Sequence, residues 1–155
     1  MPGTVRLNDI VDALDMQLDE FSSILDLDSG QVETLPDGML SQAEDCVDDE
    51  EPELLDWEKE DWEIAKRVVS TGRFVRLPTK FDVHEWAIME DFASSVASTA
   101  IREELLHALH GAGAFRVFKG TIRRNRIESA WFDFRAQALK QIAIEWCKEN
   151  RIAWE

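Results

Sequence analysis

The sequence predicts an α+β fold in which a small antiparallel sheet, made of a hairpin plus a third strand, is covered by about four to six helices. Three observations lead to this class: a hairpin pattern near residues 21–35, a short apolar strand after an acidic stretch, and helical periodicity over most of the remainder. Each such element buries one apolar face, and a helix-covered sheet does so for all of them. At 155 residues and 45% hydrophobic content, the chain is predicted to form a single domain, residues 1–155.

The first elements are a short helix and a hairpin. Asn8 is placed to cap a helix that continues to about residue 14. Residues 21–27 then read as a strand, and residues 31–35 as a second strand running back. Between them, Asp28-Ser29-Gly30 has turn chemistry, because glycine readily adopts a positive φ.

An acidic segment follows, at about residues 37–56. It contains many carboxylates and few large apolar side chains. Such a composition buries too little surface to offset the entropy lost on ordering. We therefore predict a flexible acidic segment, which is either a solvated loop or a ligand for a basic surface.

The next helix is expected to start after Asp56 and to stop at Gly72. Residues 73–78 read as a short strand ended by proline. Asp82 and Glu85 have the spacing of a capping box for a further helix. Three more helices are predicted, starting at residues 98–99, near residue 115 and near residue 128. The residues expected to point inward include Trp57, Trp86, Phe115, Phe118, Ile122, Trp131 and Trp146. Of the tryptophans, Trp57 and Trp154 are also the candidates for exposure, where they would suggest a partner surface.

Charge is distributed unevenly along the chain. The net charge is −15, and by count residues 1–60 hold 19 acids and 2 bases, a net of −17, whereas residues 61–155 hold 13 acids and 15 bases, a net of +2. The whole molecule should therefore repel nucleic acid, although a local basic surface is not excluded.

A basic surface is indeed predicted on the helix near residue 115, where four cations fall within one quadrant of a helical projection. Arginine recognises carboxylates and phosphates through two parallel hydrogen bonds. The surface is interpreted in three ways: as solvated or paired within the fold, as a site for an acidic protein segment such as this chain's own residues 44–60, or as a site for nucleic-acid phosphates. With two arginines beside the third predicted strand, the candidate binding residues are Arg73, Arg76, Arg116, Lys119, Arg123 and Arg126.

Catalytic motifs are sparse. Glu104 and His107 have the Glu-x-x-His spacing of a di-iron ligand pair, but that site needs the motif twice and the sequence contains it once. His84 is not followed by the second histidine of a zinc protease, and no phosphate-binding glycine loop is present. We therefore predict neither a metal nor a cofactor. The favoured function is a non-enzymatic protein-interaction or regulatory module. The alternatives are a nucleic-acid-binding protein, and a hydrolase or metal-dependent enzyme at His84 or at Glu104 and His107.

The sequence also favours a cytoplasmic protein. Its first residues lack the basic and apolar regions of a signal peptide, and no run approaches the ~20 apolar residues of a membrane span. The two cysteines, Cys46 and Cys147, are far apart and lack metal-site spacing, which is typical of free thiols in a reducing compartment.

Several ordered segments resemble one family over nearly the whole chain. They are LDLDSGQV (25–32), GRFVRLP (72–78), KFDVHEWAIMEDF (80–92), GAGAFRVFK (111–119), WFDFR (131–135) and AIEWCKENRI (143–152), together with the acidic stretch. In these segments the chain resembles the bacterial uncharacterised protein family 0158. The resemblance implies a small cytosolic bacterial protein and supplies no established catalytic residues.

Overall fold

A computed structural model describes residues 4–16, 20–45 and 53–155 of the chain. It confirms the α+β class, with helices and a three-stranded antiparallel sheet. The described contacts fall into two compact units: the residues up to Thr79 together with Ala143–Glu155, and Lys80–Ile142. That the chain forms a single domain stays a prediction.

The first unit contains the sheet. Its strands are β1 (Phe21–Asp26), β2 (Val32–Pro36) and β3 (Phe74–Arg76), in the order β2-β1-β3 with β1 antiparallel to both neighbours. Gly30 has a φ of 74°, which is the left-handed conformation that the turn between β1 and β2 requires of it. Both the hairpin and the third strand are therefore confirmed.

Three helices belong wholly to this unit: α1 (Leu7–Asp15), α2 (Met39–Asp45) and α3 (Glu58–Thr71). Helix α3 ends where the sequence predicts, because Gly72 takes a left-handed conformation and its N–H bonds back to the carbonyl of Val68. Helix α2 was not predicted, and it lies within the segment expected to be flexible. Residues 46–52 of that segment lie outside the described residues, and its flexibility stays a prediction.

The core of the first unit lies among β1, β2, α2 and α3. Its buried members are Ile24, Leu35, Met39, Leu40, Ala43, Trp62, Ala65 and Val68. In the same unit, Val5 and Trp154 pair through a parallel bridge. Burial of this apolar surface supplies most of the driving force for folding the unit.

The second unit is helical. It consists of α4 (Lys80–Val83), α5 (Glu85–Ser95), α6 (Thr99–Leu109), α7 (Ala114–Arg124) and most of α8 (Glu128–Glu149). Helix α6 packs against both α5 and α7. None of the described helices combines the length and apolarity that crossing a bilayer requires.

Aromatic rings fill the centre of the second unit. Phe92 contacts the rings of Phe118, Trp131 and Phe134 in edge-to-face arrangements, with ring centroids 5.3 to 6.4 Å apart. Phe118 and Trp131 also meet edge to face at 5.2 Å. This geometry is the one that aromatic pairs prefer, so these rings fix how α5, α7 and α8 pack.

Candidate functional site

Helix α7 separates its buried and charged residues onto opposite sides. The buried residues are Phe118, Thr121 and Ile122. Thr121 can be buried because its hydroxyl donates to the Val117 carbonyl at 2.9 Å. The exposed cations are Arg116, Lys119 and Arg123, whose spacings of three and four residues place them on one side of the helix. We call these three residues the basic face.

No carboxylate within the described parts of the chain pairs with the basic face. The neighbouring Arg124 differs, because its guanidinium forms an ion pair with Glu104 on α6. Internal pairing therefore accounts for Arg124 and leaves Arg116, Lys119 and Arg123 exposed to solvent.

Helix electrostatics do not account for all of these cations either. A helix carries partial positive charge at its N-terminus, where acidic side chains stabilise it and cations do not. Arg116 lies in the first turn of α7, and that turn contains no acidic residue. Arg123 lies in the last turn, where a cation is favourable. Arg116 is thus the member of the basic face that helix stability explains least.

Arg126 lies beyond the end of α7, so the helical projection that grouped it with the others does not apply. It has a φ of 55°, and its N–H bonds to the Arg123 carbonyl while that of Ile127 bonds to Ile122. This is the hydrogen-bond pattern of a helix-terminating motif in which glycine is usual. Arg151 ends α8 in the same way, with a φ of 56°. The position of Arg126 is therefore accounted for by helix termination.

The two remaining candidates, Arg73 and Arg76, belong to the first unit and form ion pairs there. Arg73 Nε lies 3.1 Å from Asp28 Oδ1 in the hairpin turn. Arg76 Nη2 lies 3.9 Å from Glu44 Oε1, and its guanidinium sits 5.9 Å from the centre of the Phe74 ring. Glu44 is the first residue of the acidic stretch that the sequence offers as a ligand for arginine. These two arginines are less available to a partner than the basic face.

An acidic hollow of about 950 Å³ lies between the hairpin and α3. It is lined by Asp26, Asp28, Ser29, Gln31, Glu33, Glu60, Glu63, Ile64, Arg67, Val68 and Thr71. Asp26 is 4% exposed; its carboxylate accepts from the Asp28 N–H at 2.9 Å and from Arg67 Nη2 at 3.3 Å. The sequence prediction missed this hollow, although the buried Asp26 lies within LDLDSGQV.

Two carboxyl groups have a raised pKa: that of Glu33, which lines the hollow, and that of Asp61, which is next to Glu60 of its lining. Burial raises the pKa of Glu33, and the carboxylates of Asp26 and Asp61 raise it further, while Arg67 opposes them. Burial and the neighbouring Glu60 likewise raise the pKa of Asp61. Asp26, the buried acid of the hollow, has partners within the unit in the Asp28 N–H and in Arg67, so its burial is explained by support of the hairpin.

The histidine-containing candidates do not converge on a common site. His84 is exposed and occupies a left-handed turn between α4 and α5, so α5 begins after His84 and not after Asp82, which lies within α4. Glu104 is engaged by Arg124. Within residues 4–16, 20–45 and 53–155, no group of three or more His, Cys, Asp or Glu side chains is arranged to hold a metal ion.

One further sequence feature singles out α7. Residues 105–127 include five cations and no acidic residue, in a chain whose 155 residues include 32 Asp and Glu. A scan for the longest stretch without acids would have found this region directly. It would also have drawn attention to Gly120, which lies at the centre of the stretch's cations.

Comparison with known proteins identifies the family of this chain but supplies no activity or partner. Neither the curated proteins nor the solved structures contain a significant match to this chain. The model of one family, described as "Uncharacterised protein family (UPF0158)", matches residues 1–154. That match covers all but the last residue and confirms the resemblance seen in the separate segments. The chain therefore belongs to the uncharacterised protein family UPF0158.

Proposed function

We propose that this chain is a non-enzymatic interaction module whose basic face on α7 binds an acidic segment of another protein. The observation that carries the proposal is the set of exposed cations Arg116, Lys119 and Arg123, which pair with no carboxylate of the described chain. Arg116 adds weight because a cation in the first turn of a helix does not stabilise it.

The composition of the surface favours a protein partner over nucleic acid. Phe115 and Val117, beside the basic face, are 50% and 41% exposed, so carboxylates and apolar side chains of one partner can both be accommodated. A net charge of −15 repels a long polyanion, whereas a short acidic segment meets mainly the local cations.

Charge reversal tests the proposal. A fluorescent peptide of alternating glutamate and serine is titrated with the protein at about 0.05 M salt, where surface electrostatics are strong. Replacing both Arg116→Glu and Arg123→Glu should weaken binding about tenfold or more, because two attractive contacts become repulsive. The matched control is Lys140→Glu with Lys148→Glu, which changes the net charge equally at exposed positions of α8 and should shift affinity less than about twofold.

Two further ligands distinguish the alternative binding partners. A peptide copying residues 44–60 reports whether this chain's own acidic sequence is a competent ligand in trans. A single-stranded oligonucleotide reports phosphate binding. If both double variants weaken peptide binding equally, net charge rather than the basic face is responsible and the proposal fails. If only the oligonucleotide binds, nucleic-acid recognition replaces it.

A further inference from the structure

Gly120 is a glycine that the fold does not require. It lies in the middle of α7 and is exposed, and a Cβ built on it meets no atom within 4 Å. Gly38, Gly72 and Gly113 have positive φ values and so are needed for their backbone conformation, but Gly120 is not among the positive-φ residues. Glycine is also the poorest residue for a helix interior after proline. Neither space nor backbone geometry within the chain explains it.

The residues around Gly120 are those of the basic face. On a helix surface, the neighbours of a residue are those three and four positions away. For Gly120 these are Arg116, Val117, Arg123 and Arg124. The missing side chain therefore leaves helix backbone uncovered between positions that carry arginines and one exposed valine, and no atom from elsewhere in the described chain lies within 4 Å of the place that a Cβ would take. Glycine at such a place lets another chain approach the backbone closely.

The spacing of the two arginines of the basic face limits the ligand that can use this approach. Arg116 and Arg123 are seven residues apart, which corresponds to about 10 Å along a helix axis. In a polyproline II chain, which completes one turn every three residues and rises about 3.1 Å per residue, residues three positions apart lie on the same side and about 9 Å apart. Carboxylates with that spacing can reach both arginines while the chain between them passes over Gly120.

We propose that the partner's acidic segment binds as an extended chain in the polyproline II conformation, running along α7 over Gly120, with acidic residues three positions apart on Arg116 and Arg123. This inference rests on the proposed function and specifies its ligand. Gly120 acts as a positioning residue, because its lack of a side chain sets how closely the partner's main chain approaches.

Gly120→Ala tests the inference, because its effects on stability and on binding should have opposite signs. Alanine is a better helix former and meets no neighbour, so the thermal midpoint should rise by about 2–4 °C. Binding of a peptide with glutamates three residues apart should weaken about tenfold, because the added methyl group occupies the contact surface. Gln137→Ala, at an exposed position of α8, is the control for a helix substitution outside α7 and should leave affinity unchanged.

If Gly120→Ala raises the thermal midpoint but leaves the affinity for the peptide unchanged, the inference is overturned. The proposed function is then decided by the charge-reversal experiment. Loss of binding in Arg116→Glu with Arg123→Glu but not in Gly120→Ala means that the basic face binds without close approach. A peptide of the same composition with adjacent glutamates should bind about fivefold more weakly than the spaced one. Equal affinities of the two peptides overturn the extended geometry.

Discussion

Glu33 is a single residue whose charge opposes folding at neutral pH. Its pKa is raised in the folded chain from an ordinary value of 4.5, so the folded state binds its proton more tightly than the unfolded state does. Stability therefore falls as pH rises from that ordinary value through the raised pKa, and the loss is complete above it. Because Glu33 is only partly buried, solvent screening keeps the effect small. We expect Glu33→Gln to increase the free energy of unfolding at pH 7 by less than about 1 kcal/mol, measured by urea denaturation.

The pH dependence separates this effect from a change in packing. Below the ordinary pKa of Glu33 its carboxyl group is protonated in both states, so the gain from Glu33→Gln should disappear there. Glu103→Gln, at an exposed position of α6, should change stability little at either pH. A Glu33→Gln variant less stable than the parent at pH 7 would show that the attraction between the Glu33 carboxylate and Arg67 stabilises the fold by more than the burial of that charge destabilises it.

At the scale of residues, local spacing predicted part of the candidate site. Arg116, Lys119 and Arg123 share one side of a helix because of their spacing alone, which is a property of the sequence. The pairing of Arg73 with Asp28 depends instead on bringing β3 beside the hairpin turn, a contact between residues 45 positions apart. Such tertiary pairing has no local signal, so the sequence could not distinguish paired arginines from unpaired ones.

At the scale of elements, the predictions were wrong where helical periodicity was applied across a helix boundary or to apolar residues alone. Trp57 was placed on the inward side and was also named as a candidate for exposure. It is 61% exposed, because α3 begins at Glu58 and its buried tryptophan is Trp62. Phe115 was also expected inward and is half exposed, because burial of Thr121 moves the inward side of α7 away from it. Helix α2 was missed because acidic neighbours obscured its short apolar pattern.

An ion pair joins two elements of the second unit, α5 and α8. Arg135 Nε lies 2.6 Å from Glu85 Oε1, and Arg135 Nη2 lies 3.5 Å from Glu85 Oε2. The side chain of Arg135 is 22% exposed and that of Glu85 is 32% exposed. Two-pronged, partly buried pairs are stronger than exposed ones. A double-mutant cycle with Glu85→Gln and Arg135→Gln should give a coupling free energy of about 1–2 kcal/mol by chemical denaturation.

The exposed pair of Asp56 and Lys59 provides the comparison for that cycle. Their side chains are 99% and 64% exposed, and the atoms Asp56 Oδ1 and Lys59 Nζ lie 3.0 Å apart. Solvent screening should reduce their coupling to about 0.5 kcal/mol or less. Equal couplings in the two cycles would mean that the contact between α5 and α8 depends on apolar packing and not on Glu85 and Arg135.

At the scale of the whole molecule, charge is separated between regions of the sequence. The first 60 residues hold a net charge of −17, whereas the 23 residues from 105 to 127 hold five cations and no acid. Repulsion among the carboxylates lowers the stability of the compact state. At Glu33 and Asp61 burial is the main cause of the raised pKa, and neighbouring carboxylates raise it further. The same distribution leaves a basic surface free to attract an acidic partner despite the overall negative charge.

Salt should therefore act in opposite directions on the fold and on the complex. Raising NaCl from about 0.02 M to about 0.3 M shortens the screening length several-fold and weakens repulsion among exposed carboxylates. We expect the thermal midpoint of the free protein to rise. The affinity for the peptide of alternating glutamate and serine should fall about tenfold or more, because salt also screens its attraction to the basic face. Near the isoelectric point of about 4.5 the net charge is small, so the gain in midpoint should vanish. A midpoint that instead falls with salt at pH 7 would mean that attractive pairs such as Arg73–Asp28 contribute more to stability than carboxylate repulsion removes.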